Sequence, residues 1–144
     1  MKWKKIVVHH SASPVKGTDG KLIGVKTIRN WHLDRGFRDI GYHFVVLADG
    51  QVQTGRAITE QGAHCLAGLR NTIAIGMCLV GDFTKHEVPE KQLTSAVNLV
   101  QRLMKEFKIN IADIELHGEV KGAHTLCPGT LFPKAKFHKL LLGG

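Results

Sequence analysis

The sequence predicts a single α/β (α+β) domain over residues 1–144, with a mixed central β-sheet flanked by helices. Three observations predict this fold class. Short β-branched segments alternate with amphipathic segments of helical period, which is typical of helices packed on a sheet. A length of 144 residues suits one domain, and a hydrophobic fraction of 43% is enough for a buried core. No internal repeat, low-complexity tract or linker divides the chain.

The first half of the chain is predicted to contain one helix and three strands, the last two of which form a hairpin. In order, the elements are a strand at 5–8, a loop at 13–24, a helix at 25–35, a strand at 42–47 and its hairpin partner at 51–54. The strands are rich in β-branched residues, and Asp49-Gly50 is a hairpin turn signal. The loop contains one proline and three glycines. Apolar residues at helical spacing place Trp31 in the buried stripe of the helix, which stops at Gly36.

The second half is predicted to contain a central strand and the strongest helix of the chain. In order, the elements are a strand at 73–80, a helix at 89–107, a strand at 114–116 and a helix at 134–142. The first of these strands is almost entirely apolar, as expected for a strand covered on both faces, and it places Cys78 in the core. The helix at 89–107 has one continuous apolar stripe, and Pro89 suits its first helical position.

The chain carries a strong positive charge, which limits the classes of partner. Twenty Lys and Arg against 12 Asp and Glu give a net charge of +8, which favours a polyanion such as nucleic acid, an anionic membrane or an anionic wall polymer. Nucleic acid is not the expected partner, because no reader motif is recognisable and only 6% of residues are aromatic. No apolar run approaches the roughly 20 residues of a membrane span.

The amino-terminal segment superficially resembles a secretion signal, because it is basic and then apolar. Its apolar stretch is only residues 6–8, whereas a signal core needs roughly 7–15 residues. We therefore expect no signal peptide and synthesis in the cytoplasm. Three cysteines, an odd number, argue against a disulfide framework in such a protein.

Nine histidines in 144 residues are unusually many, so their placement is informative. His9 and His10 follow one predicted strand, His117 follows another, and Cys127 lies ten residues beyond His117. Two imidazoles and a thiolate at strand ends suit Zn²⁺, with the fourth coordination position open to water. Because neighbouring strand residues point to opposite faces, only one of His9 and His10 is expected as a ligand. From spacing alone, the alternative is that several of these histidines merely fill surface or core-edge positions.

Short motifs spread over nearly the whole chain resemble one enzyme family. They are Ile-Val-Val-His-His-Ser at 6–11, Ile-Arg-Asn-Trp-His at 28–32, Asp-Ile-Gly-Tyr-His-Phe at 39–44, Asp-Gly at 49–50, Gly-Arg at 55–56, Gly-Ala-His at 62–64, Ile-Gly-Met-Cys-Leu-Val-Gly at 75–81, Leu-His-Gly-Glu-Val at 116–120 and Thr-Leu-Cys-Pro-Gly at 125–129. In this order they resemble the zinc-dependent N-acetylmuramoyl-L-alanine amidases, a superfamily that includes phage lysozyme-type amidases and the peptidoglycan recognition proteins.

The resemblance implies a metal site and a substrate. Zn²⁺ is expected on His9, His117 and Cys127, with His10 as a neighbour of the site. The expected partner is peptidoglycan, and the expected reaction is hydrolysis of the amide bond between N-acetylmuramic acid and L-alanine of the stem peptide. Zinc suits this reaction because it polarises a carbonyl and lowers the pKa of bound water toward about 7.

The resemblance also implies catalytic and substrate-binding residues. The family's catalytic tyrosine falls on Tyr42, the only tyrosine here. A second active-site position, two residues before the cysteine, falls on Thr125, with His124 as the alternative. His64 matches a family position in the substrate groove. Arg56 and Asn71 are further candidates for substrate binding.

The leading functional hypothesis is a prophage-type endolysin, expected to be monomeric and to reach the cell wall only after the membrane is breached. The alternative is a non-catalytic peptidoglycan-binding module, since superfamily members that lose the zinc ligands still bind muropeptides. The presence of His9, His117, Cys127 and Tyr42 favours the enzyme.

Overall fold

A computed structural model of the chain describes residues 2–143. In this described part of the chain, five strands form one mixed sheet in the order β3-β2-β4-β1-β5. They are β1 (Lys5–His10), β2 (Phe44–Val46), β3 (Val52–Thr54), β4 (Ala74–Leu79) and β5 (Ile114–Leu116). The four strands β2, β4, β1 and β5 run parallel, and β3 pairs antiparallel with β2 through the predicted hairpin. The predicted fold class is confirmed.

Within residues 2–143, four α-helices connect or follow these strands. They are α1 (Val25–Asp34), α2 (Arg70–Ile73), α3 (Glu90–Phe107) and α4 (Lys134–Leu141). The short helix α2 is absent from the sequence prediction because four residues are too few to show a helical period. Pro89 precedes α3 with an extended ψ of 144°, so it is the N-cap rather than the first helical residue.

The sheet is covered on both faces, which explains its apolar strands. The largest core cluster packs one face of β1 and β4 against α3, through residues such as Ile6, Met77 and Leu93. A second cluster on the other face contains Ile28 of α1 and, as predicted, Cys78. Among the described residues, none of the helices combines the length and the apolarity needed to cross a membrane.

The prediction that Trp31 lies in the core is wrong. The residues that α1 buries are Val25, Ile28 and His32, whereas Trp31 keeps 37% of its surface exposed. Successive helical residues are rotated by about 100°, so Trp31 lies at the edge of this stripe. It therefore faces partly into solvent.

The topology brings the sequence-predicted metal ligands to one edge of the sheet. His9 and His10 form the carboxyl end of β1, and His117 directly follows the carboxyl end of its neighbour β5. Parallel strands collect their carboxyl ends at one edge, where open α/β sheets bind ligands. The fold therefore places the predicted site in the position expected for this architecture.

Candidate active site

A cleft of about 690 Å³ opens at this edge of the sheet. It is lined by seven of the eight predicted site residues: His9, Tyr42, His64, Asn71, His117, Thr125 and Cys127. The eighth, Arg56, is not among the described residues that line it. Residues far apart in the sequence thus meet around one concave surface.

His9, His117 and Cys127 form the one group of His, Cys, Asp or Glu side chains within the described residues that could hold a metal ion. Their ligand atoms all lie within 4.8 Å of one another. His9 Nδ1 is 3.9 Å from Cys127 Sγ, and the rings of His9 and His117 are 4.4 Å apart between centroids. Burial is the largest cause that lowers the pKa of both histidines, so both imidazoles are neutral and able to coordinate a cation.

Cys127 is held in place by main-chain contacts. The N–H of His10 donates to its Sγ at 3.3 Å, and the N–H of Gly118 donates to its carbonyl at 2.7 Å. A Cβ at Gly118 would lie 2.7 Å from the carbonyl oxygen of Thr125, so this close approach requires glycine. Burial raises the pKa of the Cys127 thiol to about 12. A thiolate at this position therefore needs a cation beside it.

His10 serves the site through its main chain and not through its imidazole. Its ring lies on the opposite face from that of His9, as predicted from strand alternation, and its Nδ1 accepts the main-chain N–H of Phe83 at 3.1 Å. Phe83 is completely buried. His10 therefore anchors the segment after β4 to the end of β1.

We expect His10→Ala to lower the free energy of unfolding by about 1–3 kcal/mol without changing the metal content. The buried N–H of Phe83 loses its acceptor, whereas the main-chain N–H that contacts Cys127 remains. Urea unfolding and elemental analysis measure the two effects. The exposed His138 of α4 supplies the matched control, His138→Ala, which should leave both quantities unchanged. Loss of metal from His10→Ala would place the imidazole in the metal site.

Tyr42 lies just before β2, with its ring 5.1 Å from that of His9 between centroids. The strand predicted at 42–47 is shorter in the structure, so Tyr42 belongs to the segment that enters it. Burial, followed by the neighbouring thiols of Cys78 and Cys127, raises the pKa of Tyr42 well above its usual range. The phenol therefore stays protonated at neutral pH and acts as a hydrogen-bond donor.

Of the two residues considered for the position before the cysteine, Thr125 lines the cleft and His124 is not among its described lining residues. Both are exposed. Thr125 Oγ1 accepts the main-chain N–H of Cys127 at 3.1 Å, which leaves the hydroxyl proton free to be donated into the cleft. The geometry favours Thr125.

His64 and Asn71 belong to one hydrogen-bonded unit in the cleft wall. Asn71 Oδ1 accepts the main-chain N–H groups of His64 and Cys65, both at 2.7 Å. His64 contacts His9 at 3.0 Å with Nδ1 and the carbonyl oxygen of Ala74 at 3.0 Å with Nε2. Both ring nitrogens of His64 are thus engaged by the protein, which is unlike the free side chain expected of a substrate-binding residue.

Arg56 does not line this cleft but lines an adjoining cavity of about 500 Å³. It is 6% exposed, and its guanidinium donates to the main-chain carbonyl oxygens of Ile40 at 2.8 Å, Gln61 at 2.8 Å and Asp39 at 3.4 Å. These hydrogen bonds use three of the five N–H groups of the guanidinium, so the substrate contact predicted for Arg56 from the sequence stays a prediction. They connect the segment that precedes Tyr42 to the loop that precedes His64.

Sequence reasoning missed His32, which also lines the cleft. Its Nδ1 accepts the main-chain N–H of Gly41 at 2.8 Å, and its ring lies 5.4 Å from that of Tyr42. Gly41 itself touches the His64 loop, since a Cβ there would lie 2.0 Å from the carbonyl oxygen of Ala63. The sequence signal that could have identified His32 is its position as a polar residue within the apolar stripe of α1.

The fold and the site together define a class of protein: an α/β protein with a His-His-Cys donor set suited to a metal ion, in an open cleft at the carboxyl edge of its sheet. Comparison with known families specifies this class further. A family model described as N-acetylmuramoyl-L-alanine amidase matches residues 1–130. The chain belongs to this family and is a peptidoglycan amidase.

Individual relatives agree with this assignment. The endolysin of Klebsiella phage KP32 is 34% identical over 125 residues, which cover 86% of this chain and 79% of that protein. The peptidoglycan-recognition protein SC2 of Drosophila simulans is 32% identical over 126 residues, covering 86% of this chain and 67% of that protein. A solved structure of the amidase LysCS from Clostridium intestinale superposes with a TM-score of 0.85 at 30% identity, over 99% of this chain and 85% of that one.

Proposed function

We propose that this amidase binds one Zn²⁺ on His9, His117 and Cys127 and cleaves the amide bond between N-acetylmuramic acid and L-alanine of the stem peptide. The observation that carries the proposal is the convergence of these three donors within 4.8 Å in an open cleft. The match to phage endolysins favours a role in lysis of a bacterial host, in which the protein acts on the cell wall after the membrane is breached.

The donor set fits zinc better than it fits a hard cation. Neutral imidazoles and a thiolate are ligands that Zn²⁺ prefers, whereas Mg²⁺ and Ca²⁺ prefer oxygen atoms. Two ligand atoms that each lie about 2.0–2.3 Å from one ion are at most about 4.6 Å apart. The three donor atoms here all lie within 4.8 Å of one another, which is close to that limit. Three protein ligands with a cleft beside them leave a position for water or substrate, as in catalytic zinc sites.

The chain's own residues have distinct roles in the reaction. When bound, zinc would polarise the amide carbonyl and make water a better nucleophile at neutral pH. Tyr42 and Thr125 carry hydroxyl protons that can be donated to the carbonyl oxygen as negative charge develops on it. His9 and His117, whose pKa values are lowered by burial, stay neutral and hold their orientation.

Digestion of purified sacculi tests the proposed bond specificity. We expect free amino termini of L-alanine to appear in step with clearing, with no new reducing sugar ends. A glycosidase would need a pair of positioned carboxylates, and among the described residues no Asp or Glu lines the cleft. Amino-terminal labelling and a reducing-end assay on one digest measure both products. New reducing ends without new amino termini would contradict the proposal.

The metal content of the purified protein tests the cofactor. We expect one zinc per chain by elemental analysis, and loss of hydrolysis after treatment with a chelator. Addition of zinc to the chelated protein should restore hydrolysis. A metal-free protein that digests sacculi at the full rate would exclude zinc from the reaction.

A further inference from the structure

We propose that His64 is a positioning residue that fixes the tautomer of neutral His9, so that Nδ1 of His9 is the atom offered to the metal. This inference rests on the proposed function, because it concerns the zinc site. It assigns His64 to the support of a metal ligand and not to contact with the substrate. Three features of the structure lead to it.

The first feature is a hydrogen-bond chain whose direction is determined at one end. The carbonyl oxygen of Ala74 can only accept, so the Nε2 of His64, 3.0 Å away, must carry the proton. In a neutral imidazole the other nitrogen then has none. His64 Nδ1 is therefore an acceptor, and the donor 3.0 Å from it is His9 Nε2–H.

The second feature is the direction in which the remaining nitrogen of His9 points. With its proton on Nε2, neutral His9 has a bare Nδ1, and this atom is the one that lies 3.9 Å from Cys127 Sγ. The opposite tautomer would place two lone pairs 3.0 Å apart between His9 and His64 and would put a proton where the metal must bind. Metal-binding histidines generally have the second ring nitrogen fixed by such a partner.

The third feature is a slot that determines where the His64 ring lies. A Cβ at Gly62 or at Gly76 would come within 2.5 Å of His64 Cδ2, so the ring occupies space that only two glycines leave open. The main-chain N–H of His64 is held by Asn71 Oδ1 at 2.7 Å. The ring is therefore fixed at its main chain and on its flanks, perpendicular to that of His9 at 88°.

Two matched substitutions separate this role from simple filling of the slot. In His64→Asn, the side-chain oxygen can take the place of Nδ1 and accept from His9. In His64→Gln, the side-chain amide can take the place of Nε2 and reach Ala74, but the acceptor for His9 is lost. We expect His64→Gln to lower the zinc affinity by about 10–100-fold, the usual cost of losing an outer partner of a ligand. His64→Asn should stay close to the parent.

Zinc affinity is measured by competition with a chromophoric chelator, and folding by circular dichroism of the same samples. Equal zinc affinities for the parent and a folded His64→Gln would overturn the proposal. So would a His64→Asn that loses as much affinity as His64→Gln, because the acceptor at the Nδ1 position would then not matter.

The tautomer of His9 can also be measured directly in the parent protein, which keeps the proposal testable if the variants fail to fold. Long-range ¹H–¹⁵N correlation spectra of the metal-free protein at neutral pH should show His9 and His64 both as Nε2–H tautomers. An Nδ1–H tautomer at His9 would overturn the role of His64. A parent that binds no zinc would instead overturn the proposed function, so the two failures are distinguishable.

Discussion

Replacing Cys127 with serine is expected to abolish zinc binding and to reduce peptidoglycan hydrolysis to background. A hydroxyl is a much poorer zinc ligand than a thiolate, and the two remaining ligands, His9 and His117, do not retain the ion. A serine hydroxyl can accept the main-chain N–H of His10 in place of Cys127 Sγ. The contact with Gly118 is made by the main-chain carbonyl of Cys127, and this residue belongs to none of the core clusters. The thermal unfolding of the metal-free protein should therefore change little.

A second cysteine provides the matched control. Cys65 is buried, lines the same cleft and contacts the carbonyl oxygen of Ala67 at 3.7 Å. Cys65→Ser makes the same atomic change outside the donor set, so one zinc per chain and hydrolysis should survive. Elemental analysis and clearing of sacculi are measured on both variants in parallel. A Cys127→Ser protein that keeps full activity in the absence of chelator would remove this residue from the site.

Tyr42→Phe is expected to lower turnover by about 10²–10³-fold, the usual effect of removing one donor to a developing oxyanion. The substitution keeps the ring that packs near His9 and His32 and removes only the hydroxyl. Because burial holds the pKa of this phenol well above its usual range, the parent presents a protonated donor throughout the neutral range. The effect on KM should be much smaller, since the contact strengthens mainly in the transition state.

Separate measurement of kcat and KM on a soluble muropeptide distinguishes this role from a structural one. Zinc content and thermal unfolding should match the parent, because Tyr42 is not a ligand and the ring remains. If Tyr42→Phe cleared sacculi at the parent rate, Tyr42 would lose its catalytic role while the zinc assignment would stand. A variant that loses zinc together with activity would instead place Tyr42 among the groups that support the metal.

The order of the elements and the edge of the sheet that carries the site could be predicted from the sequence alone. The apolar run at 73–80 and the stripe at 89–107 indicated a sheet with a helix against it, and both are present as β4 and α3. Alternation along β1 separated His9 from His10, and the structure confirms that their rings lie on opposite faces. Each of these features depends on the period of one element, which neighbouring residues determine. The ligand set itself depended on the resemblance to a family.

The contacts of the groups around the proposed metal site were decided only by the tertiary structure. His64 and His9 are 55 positions apart, and their contact exists because β1 and β4 are paired and Gly62 and Gly76 leave room for a ring. The hydrogen bonds from the Arg56 guanidinium to the main-chain carbonyls of Ile40 and Gln61 could likewise not be predicted from the sequence. A sequence period shows which face a side chain occupies. Which hydrogen-bond partner that side chain contacts depends on distant segments that only folding brings within about 3 Å.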